Sequence, residues 1–348
     1  MKKSIVNNFD LIRLFAALQV ALAHMSINLD HSYSILKFLS LFPGVPIFFF
    51  LSGYLIYGSY ESSFKNENIF LNFYTKRFFR IYPGLFVCLL FSIILVLISG
   101  YISIGDINFK DVFFWFVSQL TFFQFYNPDF LRGFGVGVLN GALWTISIEL
   151  QFYILFPIVY RLMEQKKLII FSIIFLFIIL NISFNYFTRH YTDTILLKLF
   201  NVSFAPWFYM FLGGAFFAKF KEYISSILNI NIFGLLLALI VTYLISNNLG
   251  LSYGNKLNPL SYILIVAIMI HVAFTYPNLS NLLLRKNDFS YGIYIYHMPI
   301  VNFILYNYGT GSAQYFVAFF GTISVALLSW FLIEKPSMKL KKNALRRN

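Results

Sequence analysis

Apolar runs of about 20 residues recur from one end of the chain to the other, broken by short segments of Gly, Asn, Pro and basic residues, and about 20 residues is what a helix needs to cross a bilayer core. The pattern predicts spanning helices at 9–28, 42–60, 80–100, 142–161, 167–187, 200–219, 231–247, 259–276, 289–308 and 313–334. A further apolar stretch, Val112 to Tyr126, competes to be an eleventh. Strand-like alternation in segments of about ten residues, the mark of a membrane barrel, is missing. The predicted fold class is therefore an all-α polytopic membrane protein. It is a bundle of about ten transmembrane helices, read as a single membrane domain over 1–348 with no appended soluble domain.

Charge settles the count of spans. Cytoplasmic loops carry an excess of Lys and Arg. With ten spans and both termini cytoplasmic, the inner segments hold Lys2, Lys3, Lys65, Lys76, Arg77, Arg80, Arg161, Lys166, Lys167, Lys219, Lys221, Arg285, Lys286 and the six basic residues from Lys335 on, 19 of the 26 in the chain. Making 112–126 a full span would invert everything after it, so that stretch is expected to be re-entrant or to lie on the outer face. The glycines that end this outer segment, Gly133, Gly135, Gly137 and Gly141, permit tight backbone approach or mobility.

Composition agrees: 59% of residues are hydrophobic and only 11% charged, against about 25% charged in a soluble domain. The net charge of +13 is accounted for by topology and anionic lipid, and no nucleic-acid motif accompanies it. The lone Cys88 rules out an internal disulfide and reads as packing. The N-terminus has signal-peptide traits, but Asp10 and Arg13 interrupt its apolar run, so it is read as a retained helix.

Ionisable residues within spans are expensive and by default mark a functional site. The first span carries Asp10, Arg13 and His24. Eleven residues on a helix return to within roughly 20° of the same face and rise about 16 Å, so one face carries a cation at the inner end and an imidazole further out. His24 falls roughly 22 Å into a core of about 30 Å. Glu149 in LWTISIELQFYILFP lies roughly 10 Å below the outer surface, a similar depth, which makes a His24–Glu149 pair the expected catalytic centre. The alternatives for Glu149 are an arginine partner or a protonated state.

Arg77 and Arg80, three apart, share a helix face and with Lys76 form a cationic site at the cytoplasmic surface. It serves either as membrane anchoring or as a phosphate clamp. Supporting candidates are Asp10, Ser52, Trp144, Tyr153, His297 and Glu334. Trp144 and Tyr153 are placed to line a sugar pocket, Ser52 to hydrogen-bond, and Gly53 beside it to let helices approach closely. His297, about 12 Å from the inner surface, and Glu334 are expected in the cytoplasmic half with Arg13 and Arg80. His31, His190 and His271 have no partners at ligand spacing. No metal-ligand spacing, Walker loop or GxSxG is present.

These segments together resemble the acyltransferase-3 family of bacterial integral-membrane acyltransferases. FDLIRLFAALQVALAHM, GVPIFFFLSGYLI, TKRFFRIYP, LWTISIELQFYILFP, FSYGIYIYHMPI and the terminal IEKP occur in family order along the whole chain. The resemblance implies a cytoplasmic acyl-CoA donor, commonly acetyl-CoA, as co-substrate and no permanently bound cofactor. It implies transfer to a hydroxyl of an extracytoplasmic or lipid-linked glycan, with His24 matching the family's essential histidine and Arg77 and Arg80 its donor-binding RxxR motif. Some members carry a fused C-terminal hydrolase-like domain, and this chain, which stops at Asn348, is expected to depart from those.

The function expected is thus O-acylation, by default O-acetylation, of a cell-envelope polysaccharide such as O-antigen, capsule or exopolysaccharide, or of its lipid-linked precursor. The expected place is the bacterial cytoplasmic (inner) membrane. His24 acts as general base on the acceptor hydroxyl, since a neutral imidazole has a suitable proton affinity. Acyl-enzyme chemistry at Ser52 or Ser147 is less favoured, because nothing places His24 beside either. The alternative is a transporter or exporter that uses the same buried charges as a substrate or proton site.

Overall fold

The computed structural model describes residues 7–29, 38–64, 68–106, 108–164, 167–191, 194–248 and 254–344. Lys2, Lys3, His31, Lys65 and Lys166, read above, lie outside them. Among the described residues the structure is helical and no β-strand forms. The helices are α1 (Phe9–Asn28), α2 (Gly44–Ser63), α3 (Ile69–Ile98), α4 (Phe109–Gln119), α5 (Trp144–Met163), α6 (Lys167–His190), α7 (Ile195–Asn201), α8 (Phe208–Lys219), α9 (Glu222–Leu228), α10 (Ile232–Asn248), α11 (Pro259–Thr275), α12 (Leu279–Leu284), α13 (Ser290–Tyr308), α14 (Ser312–Ser329) and α15 (Lys335–Ala344). A five-residue π-helical turn, Trp330–Glu334, joins α14 to α15.

Each expected span coincides with a helix, but not all are equally apolar. Among the described residues, five are long and apolar enough to cross a membrane: Phe9–Asn28, Ile69–Ile98, Gly141–Met163, Lys167–Thr188 and Ser312–Leu340. A sixth forms if α9 and α10, bent by 86°, count as one. Helices α8 and α11 are apolar but shorter, at 12 and 17 residues. Helices α2 and α13 have the length, 20 and 19 residues, but are diluted by Ser, Tyr, Asn and Gly. The stretch 112–126 is not one helix, since α4 ends at Gln119 after 11 residues.

Two boundaries differ from expectation. The span drawn at 200–219 narrows to α8, since residues 202–207 form a turn between α7 and α8. The span drawn from residue 80 is part of a 30-residue helix that starts at Ile69. The drawn span follows the unbroken apolar run, whereas the helix also takes in IFLNFYTKRFF before it, where Asn72, Thr75, Lys76 and Arg77 interrupt apolar residues. Pro83 therefore lies in the helix interior, where it removes one backbone hydrogen bond.

The chain divides into two compact units, one of Met1–Ala16, Phe38–Ser62 and Ile148–Asn287, the other of Ala17–Lys37, Ser63–Ser147 and Asp288–Asn348. In lipid, helices gain little by hiding apolar surface from one another, so close backbone packing and hydrogen bonds hold them together. In the first unit this occurs where α2 meets α8. A Cβ on Gly53 would overlap the carbonyl of Phe211, and one on Gly214 the carbonyl of Phe50, so the small-residue contact expected at Gly53 is present. Asn8 ties the start of α1 to the end of α11. Its Nδ2 donates to the carbonyls of Val272 at 3.2 Å and Tyr276 at 2.5 Å, and its Oδ1 accepts from the Ser280 amide at 2.9 Å.

In the second unit α13 packs on α14 and α3, and α3 also meets α15 and the π-turn. A Cβ on Gly292 would come within 3.0 Å of the Ala326 Cα, so these two residues let α13 and α14 touch. The segment between α3 and α5 is anchored by Asn302 of α13. Its side chain accepts from the Val136 amide at 2.8 Å and donates to the carbonyls of Val138 and Leu139 at 2.9 and 3.0 Å. Gly135, at φ +57°, packs on Asn302 where a side chain would collide. The glycine thus serves close approach. Cys88 is buried and donates to the Ile295 carbonyl at 3.2 Å, a packing role as expected.

Candidate active site

In the second unit, α13 holds His297 with no exposed surface, and α1 brings His24 to it. His24 Nδ1 lies 2.8 Å from His297 Nε2. The rings are 13° from parallel with centroids 5.1 Å apart. His297 Nδ1 is 3.2 Å from the carbonyl of Ile293, one turn back along α13. The Tyr294 ring stands edge-on to His297 at 6.0 Å, and Tyr294 Oη shares a 2.6 Å hydrogen bond with Thr145 Oγ1 at the start of α5. Among the described residues nothing bonds His24 Nε2, nor is that atom sealed from outside.

This contact corrects the placement of His297. Counting residues put it roughly 10 Å shallower than His24, yet the rings touch. The count assumed that α1 and α13 start at one level, and the contact between His24 and His297 does not fit that assumption.

The basic end of the same unit is also built around α13. Arg80 Nη2 donates to Asp288 Oδ2 at 2.5 Å, and Asp288 Oδ1 accepts the amide and hydroxyl of Ser290 at 3.2 and 2.5 Å. Arg80 also lies 6.0 Å from the Tyr291 ring centroid, and Arg77 5.8 Å from that of Phe73. Lys76 Nζ donates to Ser63 Oγ at 3.1 Å. Of the residues expected together, Arg80 and Glu334 do interact electrostatically, whereas His297 contacts His24 and Arg13 pairs with Asp10. Glu334 is buried on the π-turn, takes a hydrogen bond from Ser329 Oγ at 2.9 Å through Oε1, and among the described residues leaves Oε2 buried with no hydrogen-bond partner. Asp288 is the residue that sequence reasoning missed. Its signal was an acidic side chain two residues before a helix start, which reads as local capping.

The first unit holds the other candidates. Glu149 Oε1 accepts from Ser52 Oγ at 3.1 Å and from Tyr153 Oη at 2.5 Å. Arg13 pairs with Asp10 one turn away on α1. Glu149 and His24 belong to different units, each with its own hydrogen-bond partners. Trp144 opens α5 in the second unit, whereas Tyr153 touches Glu149 in the first. Ser147 is fully buried with its hydroxyl donated to the Phe122 carbonyl at 2.6 Å, which leaves it poorly disposed to attack a substrate.

The second unit thus combines a histidine pair, one member fully buried, with an arginine pair at one end of an all-helical frame. The family comparison makes this specific. The acyltransferase-3 profile, described as an acyltransferase domain, matches residues 6–334, and the chain belongs to that family. It is a multi-pass membrane acyltransferase. It is 28% identical to "Nodulation protein 10" of Rhizobium leguminosarum bv. viciae, over 98% of this chain and 95% of the relative. It is 25% identical to an "O-acetyl transferase" of Shigella phage Sf6, over 94% and 95%. It is 26% identical to "O-acetyltransferase OatA" of Staphylococcus aureus, over 86% of this chain and 53% of that longer protein. No solved structure matches the chain.

Proposed function

We propose that this protein is an O-acetyltransferase of the bacterial cytoplasmic membrane. It takes an acyl group, by default acetyl, from cytoplasmic acyl-CoA and places it on a hydroxyl of a cell-envelope polysaccharide or its lipid-linked precursor. Support for the reaction comes from the family and from relatives named for O-acetyl transfer. Support for ten spans with both termini cytoplasmic comes from the distribution of Lys and Arg.

The observation that carries the reading is His24: an imidazole inside an apolar helix, half-buried, held through Nδ1 and unbonded at Nε2. A group so placed can accept the hydroxyl proton as the oxygen attacks the thioester. Arg77 and Arg80, with Lys76, are the residues on which the donor's phosphates would rest, and Arg13 and Glu149 complete the set of polar groups assigned to donor and catalysis. Ser52 donates its proton to Glu149 and is supporting rather than nucleophilic.

The test is the O-acetyl content of the envelope glycan in a strain carrying only His24→Ala at wild-type expression. The expected result is loss of the ester to the level of a deletion strain. Wild-type content would overturn the reading.

A further inference from the structure

We infer that His297 is the positioning residue that fixes the tautomer of His24 and so makes Nε2 of His24 the base. The inference rests on the reading of His24 as general base.

The Ile293 carbonyl can only accept, so His297 Nδ1, 3.2 Å from it, carries a proton. A neutral imidazole has one N–H, which leaves a lone pair on His297 Nε2. That lone pair faces His24 Nδ1 at 2.8 Å, so His24 Nδ1 supplies the hydrogen. Its own lone pair is then on Nε2, the nitrogen with no partner. The reverse arrangement sets the lone pair of His297 Nδ1 against the carbonyl oxygen. A doubly protonated His297 would be a fully buried cation, and no carboxylate contacts it among the described residues. In hydrolytic triads the orienting group is a carboxylate. An imidazole performs the same orientation here without placing an anion in an apolar interior, where it would be costly.

The step balances. The acceptor oxygen forms its bond to the thioester carbonyl carbon as the hydroxyl proton passes to His24 Nε2. His24 is then an imidazolium whose Nδ1–H still donates to His297. When the tetrahedral adduct collapses, the C–S bond breaks, the electron pair leaves on sulfur, and sulfur takes the proton from Nε2. The products are an ester and a free thiol, and His297 ends as it began.

The test uses full-length protein in liposomes with labelled acetyl-CoA and envelope glycan from a deletion strain. His297→Leu keeps volume but offers no acceptor; His297→Gln offers an amide oxygen at similar reach. His297→Leu is expected to lower kcat by about 100-fold with KM for acetyl-CoA changed less than about threefold, and His297→Gln to recover to within about tenfold of wild type. Nitrogen-15 spectra of histidine-labelled wild-type protein should show His24 protonated at Nδ1 and bare at Nε2, independently of how either variant folds. Wild-type kcat in His297→Leu, no recovery in His297→Gln, or His24 protonated at Nε2 would each overturn the inference. Full activity in His24→Ala would instead overturn the base itself, whereas an inactive His24→Ala beside a fully active His297→Leu would overturn the role of His297 alone.

Discussion

Asp288 faces Arg80 across 2.5 Å while its second oxygen holds the first residue of α13 through both the amide and the hydroxyl of Ser290. Both side chains are mostly buried, with 22% of Arg80 and 10% of Asp288 exposed. Arg80→Ala removes the guanidinium that this carboxylate faces, and breaking a buried pair from one side costs about 3–5 kcal/mol. The double variant Arg80→Ala with Asp288→Asn should lose less than the sum of the two single losses. Thermal unfolding of the detergent-solubilised protein reads this, and additive losses would contradict the pairing.

That pairing bears on the donor site. Arg80 is tied into the fold, so its substitution mixes stability with binding. Arg77 lies against Phe73 on the same helix face. Neutralising Arg77 and Arg80 together should weaken acetyl-CoA binding at least tenfold, and more than it weakens glycan binding. Titration of the purified variant with acetyl-CoA provides the measurement, and unchanged affinity would count against a phosphate clamp.

Gly53 and Gly214 let the backbones of α2 and α8 touch. A larger side chain at Gly53 forces the two helices apart, and overpacking of this kind typically costs about 1–3 kcal/mol. Gly53→Leu should lower the unfolding temperature, whereas Gly58→Leu, with nothing near its Cβ direction, should leave it almost unchanged. Equal behaviour of the two would refute the close contact.

Ser52 and Tyr153 both donate to Glu149 Oε1. A hydrogen bond to a charged group contributes about 1.5–3 kcal/mol, so Tyr153→Phe should destabilise the first unit measurably. Ser52→Ala should retain transfer to within about threefold, because the proposed chemistry is direct and Ser52 serves Glu149. Intact-mass analysis after incubation with acetyl-CoA alone should show no acyl-enzyme. An acetyl adduct on Ser52 would contradict direct transfer.

Much of the frame was legible in the sequence because lipid imposes a simple rule: long apolar runs become helices. All ten expected runs coincide with helical segments, and Gly53 was rightly read as a contact. The limits came from what hydropathy does not measure. It missed the first eleven residues of α3, where Asn72, Thr75, Lys76 and Arg77 interrupt the apolar run without ending the helix. It started the span at 200, eight residues before α8, because the turn ahead of α8 is itself largely apolar.

Within the site, His24, Arg77, Arg80 and Glu149 stood out as ionisable residues in or beside apolar runs, and that signal does not depend on tertiary structure. Partners do depend on it. The His24–His297 contact joins residues 273 positions apart, and counting turns from presumed membrane surfaces gave the wrong relative depth. Asp288 drew no notice in the sequence, because its partner Arg80 lies 208 positions away.

In the proposed reaction His24 moves the acceptor's proton during acyl transfer. The most direct measurement incorporates wild-type and His24→Ala proteins in liposomes with labelled acetyl-CoA and envelope glycan from a deletion strain, and follows label bound covalently to the glycan. General-base contributions of about 10²–10⁴ in rate predict strong label transfer by wild type and a loss of at least two orders of magnitude in the variant, with acetyl-CoA binding retained. Equal rates for the two proteins, or label that crosses the membrane without joining the glycan, would contradict the account.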